Sequence, residues 1–167
     1  MKKLILMLAL CAPLSTFAQQ KFGHLNSQEI MSQMPEFIKA RGEIEAQAKT
    51  YENDLKSMQE ELTRKNDEYE KGKSTMNATA QKQKETELQT LYQKIQQAYQ
   101  DNQQALSKLQ QDKMQPITTK LVNAIKAVGD QGKYVYIMDV ASGIPYISQT
   151  QSKDVTAEVK AQLAKTK

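Results

Sequence analysis

The sequence predicts an α+β protein that is mostly α: a small β body carrying a long antiparallel coiled-coil hairpin of helices. Three observations lead there. Through the middle of the chain, apolar residues recur at alternating spacings of three and four, separated by Glu, Lys, Gln and Asn. That is the stripe of a helix packed along one narrow face. The stripe is interrupted at "EKGKSTMNATAQ", whose Gly, Ser, Thr and Asn suit the end of one helix and the start of another. β-Branched and aromatic residues gather instead in "GKYVYIMDVASGIPYIS", residues 132–148.

The N-terminus stands apart. Lys2 and Lys3 precede an apolar run from Leu4 to Leu14, and Thr16-Phe17-Ala18 places small residues at the positions a signal peptidase reads. This is the plan of a secretory signal peptide over residues 1–18, cleaved after Ala18. The run falls short of the ~20 residues that span a bilayer. Leu10 precedes Cys11, where a lipoprotein needs a small residue. Removing the segment takes away Cys11, the only cysteine, so the exported chain has no thiol for a disulfide. Lys2 and Lys3 leave too, which lowers the formal net charge from +4 to +2. So mild a charge gives no support to nucleic-acid binding. The chain has no Trp and is sparse in Leu, Ile, Val and Phe. Stability must come from helix packing, from oligomerisation, or both.

In "KFGHLNS", residues 21–27, an extended chain points Phe22, His24 and Asn26 one way and Gly23 and Leu25 the other. Ser27 is a candidate N-cap for a short helical turn, and Pro35 suits the first turn of a new helix. The first stripe runs Met34, Phe37, Arg41, Ile44, Ala48, Tyr51, Leu55, Met58, Leu62, Lys65, Tyr69. It predicts a helix over 36–71, ~50 Å long at about 1.5 Å per residue. Gly72 is expected in the left-handed conformation that stops a helix, with Ser74, Thr75 and Asn77 as candidate caps for the next.

The second arm helix is expected over 78–114. Its stripe is Leu88, Tyr92, Ile95, Tyr99, Asn102, Leu106 and Leu109, widened by Leu91, Ala98 and Ala105. The outer stretch "NATAQKQKETE" has no large apolar residue and is expected to be weakly held and mobile. At Pro116 the phase changes. Met114, Ile117, Leu121, Ile125 and Val128 fall out of step with Leu109, so the arm is expected to end there in a kink. "GDQGK" stops the helix. "YVYIMDV" reads as a buried strand, "ASG" as a turn and "IPYIS" as the returning strand of a hairpin. A last short helix follows, capped by Asp154 or Thr156, with Val155, Val159 and Leu163 on one face.

A lone hairpin is marginal in water, and "KFGHL" is the third strand it needs. Even three strands remove little apolar surface, at roughly 25 cal/mol per Å², against roughly 1–2 kcal/mol to order each residue. The body is therefore expected to be an oligomerisation core built from Phe22, His24, Leu25, Val135, Tyr136, Ile137, Met138, Val140, Ile144 and Ile147. No catalytic, cofactor or metal constellation stands out. His24 is the only histidine, so a nucleophile–base pair or a His-based metal site has no partner at matched spacing, and no Gly-rich phosphate loop is present. The protein is expected not to be an enzyme.

The chain resembles the Skp/OmpH family of periplasmic chaperones. "KFGHLNSQEIMSQMPEF" at the start, the Gln/Lys/Glu-rich arm, and "YVYIMDVASGIPYIS" followed by "KDVTAEVKAQL" carry the likeness, in order, across the whole exported sequence. The resemblance implies a jellyfish-like homotrimer in the periplasm. Residues 19–35 and 115–167 would form its β-rich body and 36–114 an arm with its tip near 72–77. It implies an ATP-independent holdase that keeps unfolded outer-membrane proteins between the arms and prevents their aggregation. Client contacts are then expected at Tyr51, Met58, Leu62, Tyr69, Met76, Leu88, Leu91, Tyr92, Ile95 and Tyr99, since Met and Tyr adapt to varied surfaces. Gly42 is a candidate hinge for splaying the arms. The tip lysines Lys65, Lys71, Lys73, Lys82 and Lys84 are candidates for weak contact with membrane or lipopolysaccharide. The near-neutral charge departs from the family's well-known, strongly basic members. The other reading is a structural coiled-coil adaptor or spacer of the envelope that binds one folded partner.

Overall fold

A computed structural model of the chain describes residues 20–166. The signal peptide expected over 1–18, its cleavage point and Cys11 lie outside the described residues. In chain order the elements are β1 (Lys21–Leu25), α1 (Ser27–Ser32), α2 (Pro35–Gly72), a 3₁₀ turn (Lys73–Thr75), α3 (Ala78–Gly132), β2 (Tyr134–Asp139), a second 3₁₀ turn (Val140–Ser142), β3 (Ser152–Asp154) and α4 (Thr156–Lys165). The α+β, mostly helical class expected from the stripes is what forms. The chain divides into two compact units: Gln28–Val122, and the strands with the end of α3 and α4.

The sheet is not the expected hairpin. Its order is β2-β1-β3, and β1 pairs in parallel with both neighbours. β2 and β3 therefore never pair with each other. "IPYIS" forms no strand, and the third strand lies further on, at Ser152–Asp154. "ASG" is not a hairpin turn either. The Asp139 side chain accepts from Ala141 N–H at 3.0 Å and closes a 3₁₀ turn, after which Gly143 takes φ 77. The chain then runs unpaired past the width of β1, as a crossover between parallel strands must. Periodicity could not reveal this, because parallel and antiparallel strands share the same alternation.

β1 alternates as expected. Gly23 and Leu25 are buried, while Phe22 and His24 are half-buried on the other face. Gly23 is tightly enclosed: an added Cβ would sit 3.1 Å from Ile137 and 3.2 Å from Tyr134. Phe22 stacks on Tyr136 with ring centroids 4.8 Å apart. β2 was expected to be buried, and none of its side chains is. The register slips between Lys21 and Phe22, which pair with Tyr134 and Tyr136. That bulge leaves Val135 unopposed and breaks the two-residue alternation.

The core of this unit is Leu25, Val128, Val155 and Val159. Val155 and Val159 share the face of α4 assigned to them, and Val155 N–H donates to the His24 carbonyl at 2.8 Å. Asp154 Oδ1 accepts from Thr156 N–H at 2.8 Å, an Asx turn leading into α4, but the N-cap position falls to Val155, so neither Asp154 nor Thr156 holds the place expected of it. Ser27 does not act as its own helix's cap. Its backbone N–H donates to Asp139 Oδ1 at 3.1 Å and its hydroxyl to Asp139 Oδ2 at 2.5 Å, which ties the end of β1 to the end of β2. Gly132 and Lys133, the latter at φ 54, turn the chain from α3 into β2.

Candidate functional site

The Gln28–Val122 unit holds the candidate site, the helical hairpin. Its first half follows the predicted stripe. Met34 and Tyr69 are buried, and Phe37, Ile44, Ala48, Tyr51, Leu55, Met58, Leu62 and Lys65 are half-buried between exposed neighbours. Arg41 is the exception. It is exposed, ion-pairs with Glu45, and the buried position falls to Ala40. A guanidinium cannot be enclosed without partners, whereas a methyl group fits a close helix approach.

The second half differs from expectation in two ways. Its packed row is Leu88, Leu91, Ile95, Ala98, Asn102, Leu106 and Leu109, of which Ile95 is buried and the rest half-buried, while Ala105, expected to widen the stripe, is exposed. Tyr92 and Tyr99 lie outside it, 56% and 52% exposed. Both rows have the same spacing, so the stripe alone could not choose between them. Pro116 does not end the arm helix, because α3 is continuous from Ala78 to Gly132. The row carries on through Lys113, Ile117 and Leu121. A run of four-residue steps keeps the buried face in phase where the strict heptad drifts out of it.

Polar pairs fix the antiparallel register. Lys120 Nζ donates to Glu36 at 2.6 Å, Lys113 pairs with Glu43, and Lys65 pairs with Glu87. Each cation holds its carboxylate below the usual range, and Glu87 in turn raises Lys65. Sequence reading missed this ladder. The signal was available in the Lys and Glu residues set at mirrored distances from the turn. A shallow groove of about 340 Å³ near Pro116 is walled by Glu36, Glu43 and Asp112 and by Lys39, Lys113 and Lys120. The two signs offset each other, so it offers no site to a simple ion.

At the tip, Gly72 is right-handed, with φ −94 and ψ −16, not the left-handed stop expected of it. The chain passes instead through a 3₁₀ turn, and Asn77 caps α3 by accepting from Ala80 N–H at 2.9 Å. Gln81 Nε2 donates to the carbonyls of Lys73 and Met76. Tyr69 is buried, its hydroxyl donates to Glu85, and Lys73 Nζ sits 5.2 Å from its ring centroid. The Glu85 carboxylate, with burial adding to it, pushes the Tyr69 hydroxyl up to about 12. The outer arm is thus fastened by groups that an apolar count does not register. Of the tip lysines, Lys65, Lys84 and Lys73 are engaged within the chain, while Lys71 and Lys82 are exposed with no ion pair among the described residues.

Gly42 lies mid-helix in α2, and a Cβ there would meet nothing within 4 Å. Its small size is therefore not used for a close approach. In the other unit, Leu25 belongs to the core, whereas Val135, Tyr136 and Met138 are 57%, 46% and 44% exposed. Ile137, Val140, Ile144 and Ile147 are half-buried. His24 Nδ1 lies 2.9 Å from Ser152 Oγ, a satisfied strand histidine. Among the described residues no cluster of His, Cys, Asp and Glu could hold a metal ion, and no helix is long and apolar enough to cross a membrane.

The described residues form a small parallel sheet and a helical hairpin fastened by a narrow seam. The model of the OmpH-like outer membrane protein family matches residues 21–163, so the chain belongs to that family. It is 26% identical over 156 residues to the chaperone protein Skp of Pectobacterium atrosepticum, covering 93% of both chains. It is 29% identical over 160 residues to Skp of Yersinia enterocolitica, again covering 93% of both. The crystal structure of an OmpH-like protein from Caulobacter crescentus shares the fold. The TM-score is 0.73 at 16% identity, over 86% of this chain and 83% of that one.

Proposed function

We propose that this protein is an ATP-independent holdase of the periplasm that binds unfolded outer-membrane β-barrel proteins and keeps them from aggregating. It performs no covalent chemistry. One observation carries the reading: the family match runs from β1 through both arm helices and β2 into α4, and the Skp relatives are matched over 93% of both chains. The arms would hold a client by many weak contacts, drawn from Tyr51, Met58, Leu62, Met76, Leu88, Leu91, Tyr92 and Tyr99, while Tyr69 and Ile95 are buried within the hairpin. Weak contacts in number give retention without immobilising the guest, and folding machinery can compete it away.

The working unit would be a homotrimer with its subunits joined through the body. Val135, Tyr136 and Met138 support this, being large, apolar or aromatic, exposed and on an edge strand. Gly42 would act as the hinge of the arm, and Lys71 and Lys82 would give weak contact with acidic headgroups or lipopolysaccharide. The decisive experiment dilutes a urea-unfolded porin into the purified protein and follows light scattering. Suppression of aggregation at substoichiometric trimer is expected. Aggregation unchanged at excess trimer overturns the proposal, and a single folded partner recovered stoichiometrically from envelope extracts would point to the adaptor role instead.

A further inference from the structure

Charged residues make up 25% of the chain, yet from Leu88 to Ser107 helix α3 carries only Lys94 and Asp101. At about 100° per residue these two fall on one side of the helix, and Asp101 also accepts from Gln97 Nε2 at 2.8 Å. The opposite side presents Gln89, Tyr92, Gln96, Tyr99 and Gln103, spaced by three and four and all exposed. The seam row beside them, Leu91, Ile95 and Ala98, packs within the hairpin and leaves this face uncovered. Elsewhere on the hairpin the charges answer one another, as in Lys65 with Glu87, Lys113 with Glu43 and Lys120 with Glu36.

We infer that this glutamine–tyrosine face of α3 is the holding surface for uncharged, aromatic-bearing segments of an unfolded polypeptide in extended form. The inference rests on the holdase reading and adds the chemical class of segment that is held. A charged segment laid here would lose hydration and gain no counter-charge; a neutral one escapes that penalty. Glutamine amides both donate and accept, so they match the open N–H and C=O groups of an unfolded backbone run in either direction. Tyrosine offers a large apolar face with few torsions to freeze. Attachment through such groups is insensitive to salt, unlike capture by ion pairing.

The test uses the purified chain lacking residues 1–18, a urea-unfolded porin, and two synthetic peptides of equal length. One peptide alternates aromatic and small neutral residues, and the other has lysine at every third position. Binding is measured at about 0.05 M and about 0.5 M NaCl. The neutral peptide is expected to bind about tenfold more tightly than the lysine peptide, with little change across salt. Tyr92→Ser combined with Tyr99→Ser is expected to weaken neutral-peptide binding about tenfold, with helicity unchanged by circular dichroism. Lys94→Ser combined with Asp101→Ser is expected to leave it unchanged. Equal affinity for both peptides, or a tyrosine variant that binds like the parent, overturns the inference, while porin protection by the parent keeps the holdase reading intact. A tyrosine variant that alters native mass in place of peptide affinity marks the face as a contact between copies and overturns it too. If the parent itself fails to protect the porin, the holdase reading falls and this inference with it.

Discussion

Tyr69, near the end of α2, donates its hydroxyl to Glu85, near the start of α3, across the turn that joins the arm helices. This bond lies where the apolar seam is thinnest, and Lys73 covers the same ring. The outer arm therefore relies on this buried aromatic residue and its charged partner, alongside the Asn77 and Gln81 bonds at the turn. Tyr69→Phe keeps the packing and loses the bond. Hydrogen exchange of the amides around the tip is expected to speed up roughly tenfold, with the rest of the hairpin unaffected, because a hydrogen bond to a charged group is among the stronger ones. Tyr69→Ala is expected to open the tip further. Unchanged exchange in both variants would show that the seam alone suffices.

Asp139 links Ser27 to the close of β2. Burial by itself would raise its pKa, but the Ser27 hydroxyl, the Ser27 N–H and the Ala141 N–H together outweigh that and hold it below the ordinary value. The Thr156 hydroxyl and N–H lower Asp154 in the same way, the hydroxyl more. A carboxylate depressed in the folded state favours folding above its unfolded pKa of about 3.9 and loses that contribution as pH falls through this value towards the folded pKa. Thermal midpoints of the chain are expected to drop below about pH 4. Asp139→Asn is expected to destabilise by about 1–3 kcal/mol at neutral pH and to show a shallower acid loss.

Gly42 and Gly132 make an opposed pair. A methyl group at Gly42 meets open space, so Gly42→Ala is expected to stabilise α2 by about 1 kcal/mol, the difference in helix propensity. If the glycine serves as a hinge, the same variant also narrows the range of client sizes held, read as protection of small against large barrels. A Cβ on Gly132 would lie 2.3 Å from the Tyr134 ring. Gly132→Ala is expected to displace that ring and to destabilise by about 1–3 kcal/mol, as overpacking does. Urea unfolding of the two variants gives the comparison directly.

The exposed side of β2 sets the expectation for assembly. Val135→Lys with Met138→Lys places charges on residues that are already in solvent within the protomer, so a protomer that folds alone would tolerate them. Native mass spectrometry is expected to show the parent as a trimer and the double variant dissociated, with loss of porin protection. A trimer that persists would move the interface elsewhere.

The sequence by itself determined the helical hairpin, its turn, and most of α2's packed face, because a repeat of three and four over so long a run admits one reading. It also determined that "KFGHL" joins the C-terminal strands and that Val155 and Val159 turn inward. Only the tertiary structure decided that the sheet is parallel with β1 at its centre, since alternation of side chains says nothing of strand direction. It alone chose Leu91 and Ala98 over Tyr92 and Tyr99 as the companions of Ile95 in the seam, because two rows of equal period differ only in what lies opposite them. The bonds from Tyr69 to Glu85 and from Ser27 to Asp139 were likewise beyond periodicity: they join residues that no local rule relates, and exist because the fold carries distant groups into reach.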